Sequence, residues 1–175
     1  MTSTHEPFDD TAKAFYHRLF KSWGLSVETE RVVFSRSRTI DLVVRCNDAD
    51  QKRLQKTVFA HFRQFNALEL KGFNDPLTVA NYKRIMMRAW GLESQKPSAS
   101  TDQDKLSELP NQMTVTIVCV TRPDNILDKF KQELRFVQIE AGIYYSDDVL
   151  GRWIIHPSEL ALVEKNYPLL PLARG

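Results

Sequence analysis

The feature that most constrains this chain is the segment 113–120, MTVTIVCV. It is a nearly continuous apolar, β-branched run, too short to cross a membrane and too rich in Val, Ile and Thr for a helix. A strand of that kind is buried on both faces. It therefore belongs in the middle of a sheet that carries helices on each side. An α/β domain with a mixed central sheet flanked by helices is the expectation, and 175 residues suit one domain spanning 1–175.

The surrounding segments agree. Residues 9–23 repeat apolar side chains at helical spacing. Ala12, Phe15, Leu19 and Trp23 form a stripe, Tyr16 and Phe20 widen it, and Gly24 stops it. Residues 30–35 and 39–46 read as two strands. In the second, alternation sends Ile40, Leu42 and Val44 one way and Asp41, Val43 and Arg45 the other. Leu54, Val58 and Phe62 recur every four residues, which predicts a helix over 48–63 capped by Asn47 or Asp48. Residues 65–70 return to strand. Asp75 followed by Pro76 is a helix-start signal, and the helix is expected to run to Gly91. Its inner face is Leu77, Tyr82, Ile85, Met86 and Ala89.

Residues 93–111 are poor in large apolar groups and read as a mobile loop. Beyond the central strand, a helix from Pro123 to about residue 134 is expected. Strands follow at 136–140, 142–146 and 152–156, then a short last helix capped by Ser158.

Composition narrows the function. Apolar residues are 42% and charged residues 26% of the chain, as in ordinary soluble domains. No apolar run approaches the ~18–20 residues of a membrane span, and the polar start MTSTHEPFDD lacks a signal-peptide core. A cytoplasmic protein without a membrane partner is expected, with Cys46 and Cys119 as buried free thiols. The net charge is only +2, but residues 31–88 hold twelve Lys or Arg against five Asp or Glu. Such a basic half suits a polyanion partner such as nucleic acid; a solvated helix face with scattered cations is the plain alternative on charge alone.

Three residues can carry chemistry. Asp41 sits inside an apolar strand, where a lone carboxylate is costly. Glu69 and Lys71 lie two apart at the end of the next strand and so share a face. If the strands are neighbours, Asp41 approaches Glu69, and a divalent cation relieves the repulsion between the two acids. Lys71 then adds a positive charge beside the reacting water or the developing anion. The plain alternative is a solvent-facing Glu69–Lys71 pair, with Asp41 matched to Arg38 or Arg45.

The pattern of Asp41 followed by Glu69-Leu70-Lys71 resembles the PD-(D/E)XK nuclease superfamily. The order of elements resembles that family's core. FNALELKGFNDPLTVANYKRIMMRAWGL, TIVCVTRP and IEAGIYYS are similar to a bacterial, transposase-associated nuclease-like subgroup of it. The resemblance implies a restriction-endonuclease-like fold and Mg²⁺- or Mn²⁺-dependent hydrolysis of phosphodiester bonds. Asp41 and Glu69 would be the metal ligands, with the Leu70 carbonyl as a further one, and Lys71 the catalytic cation. Asp41 follows Ile40 rather than the family's Pro. No glutamine motif stands on the following helix, where Tyr82, Lys83 and Arg84 occur instead.

Arg36, Arg38, Lys83, Arg84 and Arg88 are the candidates for phosphate contacts. Acids near the first helix, Glu6, Asp9 or Asp10, can add a ligand. Two rival readings remain: a catalytically inactive nucleic-acid- or protein-binding module on the same fold, and a homodimer built on the apolar C-terminal strands.

Overall fold

A computed structural model describes residues 7–34, 38–94, 113–147 and 150–174. Arg36 and nearly all of the expected loop at 93–111 lie outside the described residues, as does the side chain of Arg38.

Seven strands form one mixed sheet. They are β1 (Ser26–Phe34), β2 (Arg38–Arg45), β3 (Phe65–Lys71), β4 (Met113–Cys119), β5 (Val137–Glu140), β6 (Ile143–Ser146) and β7 (Gly151–Ile155), in the spatial order β1-β2-β3-β4-β7-β6-β5. β1, β2 and β3 are antiparallel neighbours; β3 runs parallel to β4, and β4 to β7. As its composition demands, β4 lies at the centre of the sheet and every one of its residues is buried.

Helices cover both faces. On one, α1 (Pro7–Ser22) sets Ala12, Tyr16 and Phe20 against Leu42, Val44, Leu68, Leu70 and Val118. The buried line of α1 runs through Tyr16 and Phe20, and Phe15 of the expected stripe is exposed. Gly24 ends the helix with φ 74, a backbone setting that glycine adopts freely. On the other face, α3 (Val79–Glu93) packs Tyr82, Ile85 and Ala89 against Ile40, Val43, Ala67, Val115 and Ile117.

Five expectations are corrected. The helix over 48–63 is only α2 (Asp48–Leu54), with a capping box between Asn47 and Asp50. Val58 and Phe62 are buried as the spacing requires, yet the backbone turns: the Thr57 hydroxyl donates to the Leu54 carbonyl, and Val58 N–H donates to Lys165 O. Asp75 does not cap α3; Thr78 does, through its hydroxyl, and Gly91 lies inside the helix. The segment after Pro123 is a π-helical turn, Asn125–Lys129, followed by the short α4 (Lys131–Leu134). After Ser158 there are only 3₁₀ turns.

The fifth correction shapes the site. Ile40 does not share a face with Leu42 and Val44: it packs with Val43 on the α3 side. Opposite Asp41, between the pairs Thr29–Leu42 and Arg31–Ile40, Glu30 has φ 50. This left-handed residue breaks the pleat where Asp41 sits.

Candidate metal centre

The β2–β3 ladder runs from Arg45–Phe65 to Leu42–Leu68 and ends there. Beyond it the two strands part, and the side chain of Asp41 enters the gap. Its Oδ2 accepts the Leu70 N–H at 2.8 Å, giving that amide a partner on the side where the ladder has stopped. Asp41 therefore reaches the end of β3 between the two helical layers.

Glu69 is one residue away on β3, on the face covered by α3, and only 2% exposed. Its Oε1 accepts from Arg88 Nη1 of α3 at 3.3 Å. Arg88 also donates to the Thr39 carbonyl at 3.0 Å, while its Nε is buried without a hydrogen-bond partner. Burial holds the proton of Glu69 well above the ordinary carboxylate range. The charge of Asp41 and a hydrogen bond with it push the same way, against the weaker opposing pull of Arg88 and Lys71. The two carboxyl groups thus lie against each other, and it is at Glu69 that burial and the neighbouring acid favour the neutral form.

Lys71, at the end of β3, donates to Asp75 Oδ2 at 2.6 Å. A fifth charged group is one that the sequence pattern does not single out. Lys13 of α1 is a buried lysine whose ammonium lies 2.7 Å from Asp9 Oδ2, 2.9 Å from Glu30 Oε1 and 3.5 Å from Asp41 Oδ1. Burial by itself lowers its proton affinity, but the hydrogen bonds to Asp9 and Glu30 and the charge of Asp41 outweigh that and raise it. The available sequence signal is its place four residues after Asp9 and beside Ala12, at the margin of the apolar stripe.

The expected carboxylates are therefore together, and Glu69 is not solvent-facing as the plain alternative has it. Asp41 lies 3.5 Å from the Lys13 ammonium and Arg45 pairs with Glu28, while the side chain of Arg38 is outside the described residues. Of the phosphate-contact candidates, Lys83 and Arg84 are exposed on α3, whereas Arg88 turns inward onto Glu69. Asp9 is drawn to the site only through Lys13.

The donors suit a hard cation: two carboxyl groups side by side whose mutual repulsion an ion would relieve. Among the described residues no group of three or more His, Cys, Asp or Glu is arranged to hold a metal ion. An ion on Asp41 and Glu69 would keep several waters, as Mg²⁺ commonly does.

Elsewhere, His61 bonds Thr116 Oγ1 at 2.8 Å and stacks on Trp153, while buried His156 bonds the Cys119 carbonyl. Both histidines serve packing. Cys46 and Cys119 are buried free thiols. No helix among the described residues is long and apolar enough to cross a membrane. Compared with known proteins, the chain matches no family model, no curated protein and no solved structure.

Proposed function

We propose that the chain is a metal-dependent nuclease of the PD-(D/E)XK type. One observation carries the reading: the parting of β2 from β3 sets Asp41 against Glu69, with Lys71 two residues further on the same strand. The order α1, β1, β2, β3, α3, β4, with α2 inserted between β2 and β3, three antiparallel strands and a parallel fourth, supports a restriction-endonuclease-like core.

Asp41 and Glu69 would bind Mg²⁺ or Mn²⁺, with the Leu70 carbonyl as an additional ligand. The metal would supply an activated water and neutralise phosphate charge. Lys71, freed from the exposed Asp75, would place its ammonium beside the phosphate oxygen that gains charge. Lys83 and Arg84 offer exposed cations on the neighbouring helix for nucleic-acid phosphates.

The test is incubation with labelled single- and double-stranded DNA and RNA in Mg²⁺, Mn²⁺ or EDTA, beside Glu69→Gln. Metal-dependent cleavage by wild type alone is expected. Cleavage that persists in EDTA, or equal cutting by the variant, sinks the assignment.

A second reading has its own support. Each expected catalytic group is already matched within the chain: Asp41 with Lys13, Glu69 with Arg88, Lys71 with Asp75. A catalytically inactive binding module predicts nucleic-acid affinity that falls with salt and ignores Mg²⁺. Salt titrations with and without the metal separate the two.

A further inference from the structure

We propose that Phe73 and Arg174 form a stacking subsite for an unpaired nucleobase beside Lys71, which makes single-stranded nucleic acid the preferred substrate. This rests on the nucleic-acid reading of the site and names the strand form that it takes.

The subsite lies where three strands end together. β3, β4 and β7 are parallel, and their register sets Lys71 beside Cys119 and Val118 beside Ile155. Their carboxyl ends therefore open on one end of the sheet, the end at which open α/β sheets bind ligands. Gly72 and Phe73 follow β3 there, and Ser158 follows β7. The Ser158 hydroxyl accepts the Arg174 N–H at 2.8 Å, which brings the tail of the chain to this end. The Arg174 guanidinium then lies 3.8 Å from the centre of the Phe73 ring.

The turn that carries Phe73 is held on both sides. A Cβ on Gly72 would come within 2.7 Å of the Phe8 ring, so glycine lets α1 and the turn approach. Lys71 and Asn81 both donate to the Asp75 carboxylate, at 2.6 and 3.5 Å. On this fixed backbone Phe73 stays 56% exposed even with Arg174 laid against it. A lone exposed aromatic is ordinary. This one carries a stacked guanidinium and stands two residues from Lys71, a stretch of chain that spans at most about 7 Å. A base on the ring therefore belongs to a nucleotide at or next to the phosphate that Lys71 would meet.

The chemistry of the pair suits a base and its backbone. A ring offers its face to any base, and a guanidinium adds stacking and a positive charge for phosphate. A base inside a duplex is already stacked between its neighbours and must leave them to reach Phe73. A single strand pays no such unstacking cost.

The experiment measures binding by fluorescence anisotropy on the full chain in EDTA. The labelled probes have equal length: a DNA single strand, a blunt DNA duplex and an abasic sugar-phosphate strand. Wild type is expected to bind the single strand about tenfold more tightly than either other probe. Phe73→Leu keeps an apolar side chain without the ring face, and should lose about tenfold on the single strand and nothing on the abasic strand. Phe73→Tyr should bind as wild type does, and Arg174→Ala should weaken single-strand binding. Because Phe73 is exposed, both of its variants should keep the wild-type melting temperature. Single-strand binding no tighter than duplex or abasic binding overturns the inference, as does wild-type affinity in Phe73→Leu. If metal-dependent cleavage accompanies either result, the nuclease reading stands and the subsite alone falls. Phe73-dependent single-strand binding without metal-dependent cleavage keeps the subsite and removes the nuclease reading.

Discussion

β3 carries a buried polar cluster at each end, and the two are built on opposite principles. Near its start, Asn66 is fully buried and every arm is used. Its amide donates to Val44 O and Arg63 O, and its Oδ1 accepts from Arg63 N–H and from the Thr114 hydroxyl. Thr116, two residues along β4 from Thr114, holds His61. Near the end of β3, Asp41, Glu69, Lys13 and Arg88 form an ionic cluster. There burial and a neighbouring acid raise the proton affinity of Glu69, and Arg88 Nε has no hydrogen-bond partner. The neutral cluster fixes register at small cost, because each polar group has a partner. The ionic cluster costs desolvation that its pairs do not fully return. A chain that needed only stability would gain from apolar residues there, so the ionic end is the one to read for chemistry.

The largest expected effect breaks the neutral end. Asn66→Asp replaces two donors by lone pairs that face the carbonyls of Val44 and Arg63, and it buries a charge. Urea unfolding should show a loss of about 3–5 kcal/mol. Next comes acid. Burial, with the charge of Arg63, pushes the His61 imidazole down to about 3. The unfolded chain therefore takes up this proton first, near pH 6.5. The stability from neutral His61 is complete above that pH and is lost as pH falls from 6.5 toward 3, by at most about 1.4 kcal/mol per pH unit. His61→Gln should flatten that part of the pH–stability curve.

Thr116→Val removes the partner of His61 Nε2, and a loss of about 1–3 kcal/mol is expected in the same unfolding assay. The smallest effect belongs to the ionic end. Burial and Asp41 favour a neutral side chain at 69, and glutamine keeps its shape, so Glu69→Gln should change stability by less than about 1 kcal/mol. A loss as large as that of Asn66→Asp would show Glu69 to be structural and erase the contrast.

Much of the frame is legible from periodicity because burial sets it. The apolar run at 113–120, the β3 strand and the helix against it all follow from which side chains must leave water. What periodicity reports is burial rather than backbone. Leu54, Val58 and Phe62 are all buried, but the Thr57 hydroxyl and the Lys165 carbonyl take the groups that a helix would have used. Asp75 reads as a cap, yet Lys71 claims it and Thr78 caps instead.

The acids of the site are legible because carboxylates inside strands are rare. Lys13 is not, because its meaning depends on Glu30 and Asp41, which lie on other elements and reach it only through the break in the pleat at Glu30. Arg88 reads as a surface cation until α3 is laid on the sheet and its guanidinium meets Glu69.

The central claim is that the parted ends of β2 and β3 hold a divalent ion between Asp41 and Glu69. The most direct measurement is a crystal of the protein soaked in Mn²⁺ and examined for anomalous density. The account predicts one peak bonded to both carboxylates, with Arg88 withdrawn from Glu69 and Lys71 within a few ångströms. Carboxylates still paired to Lys13 and Arg88, with no peak between them, would contradict it and remove the basis for metal-dependent chemistry at this site.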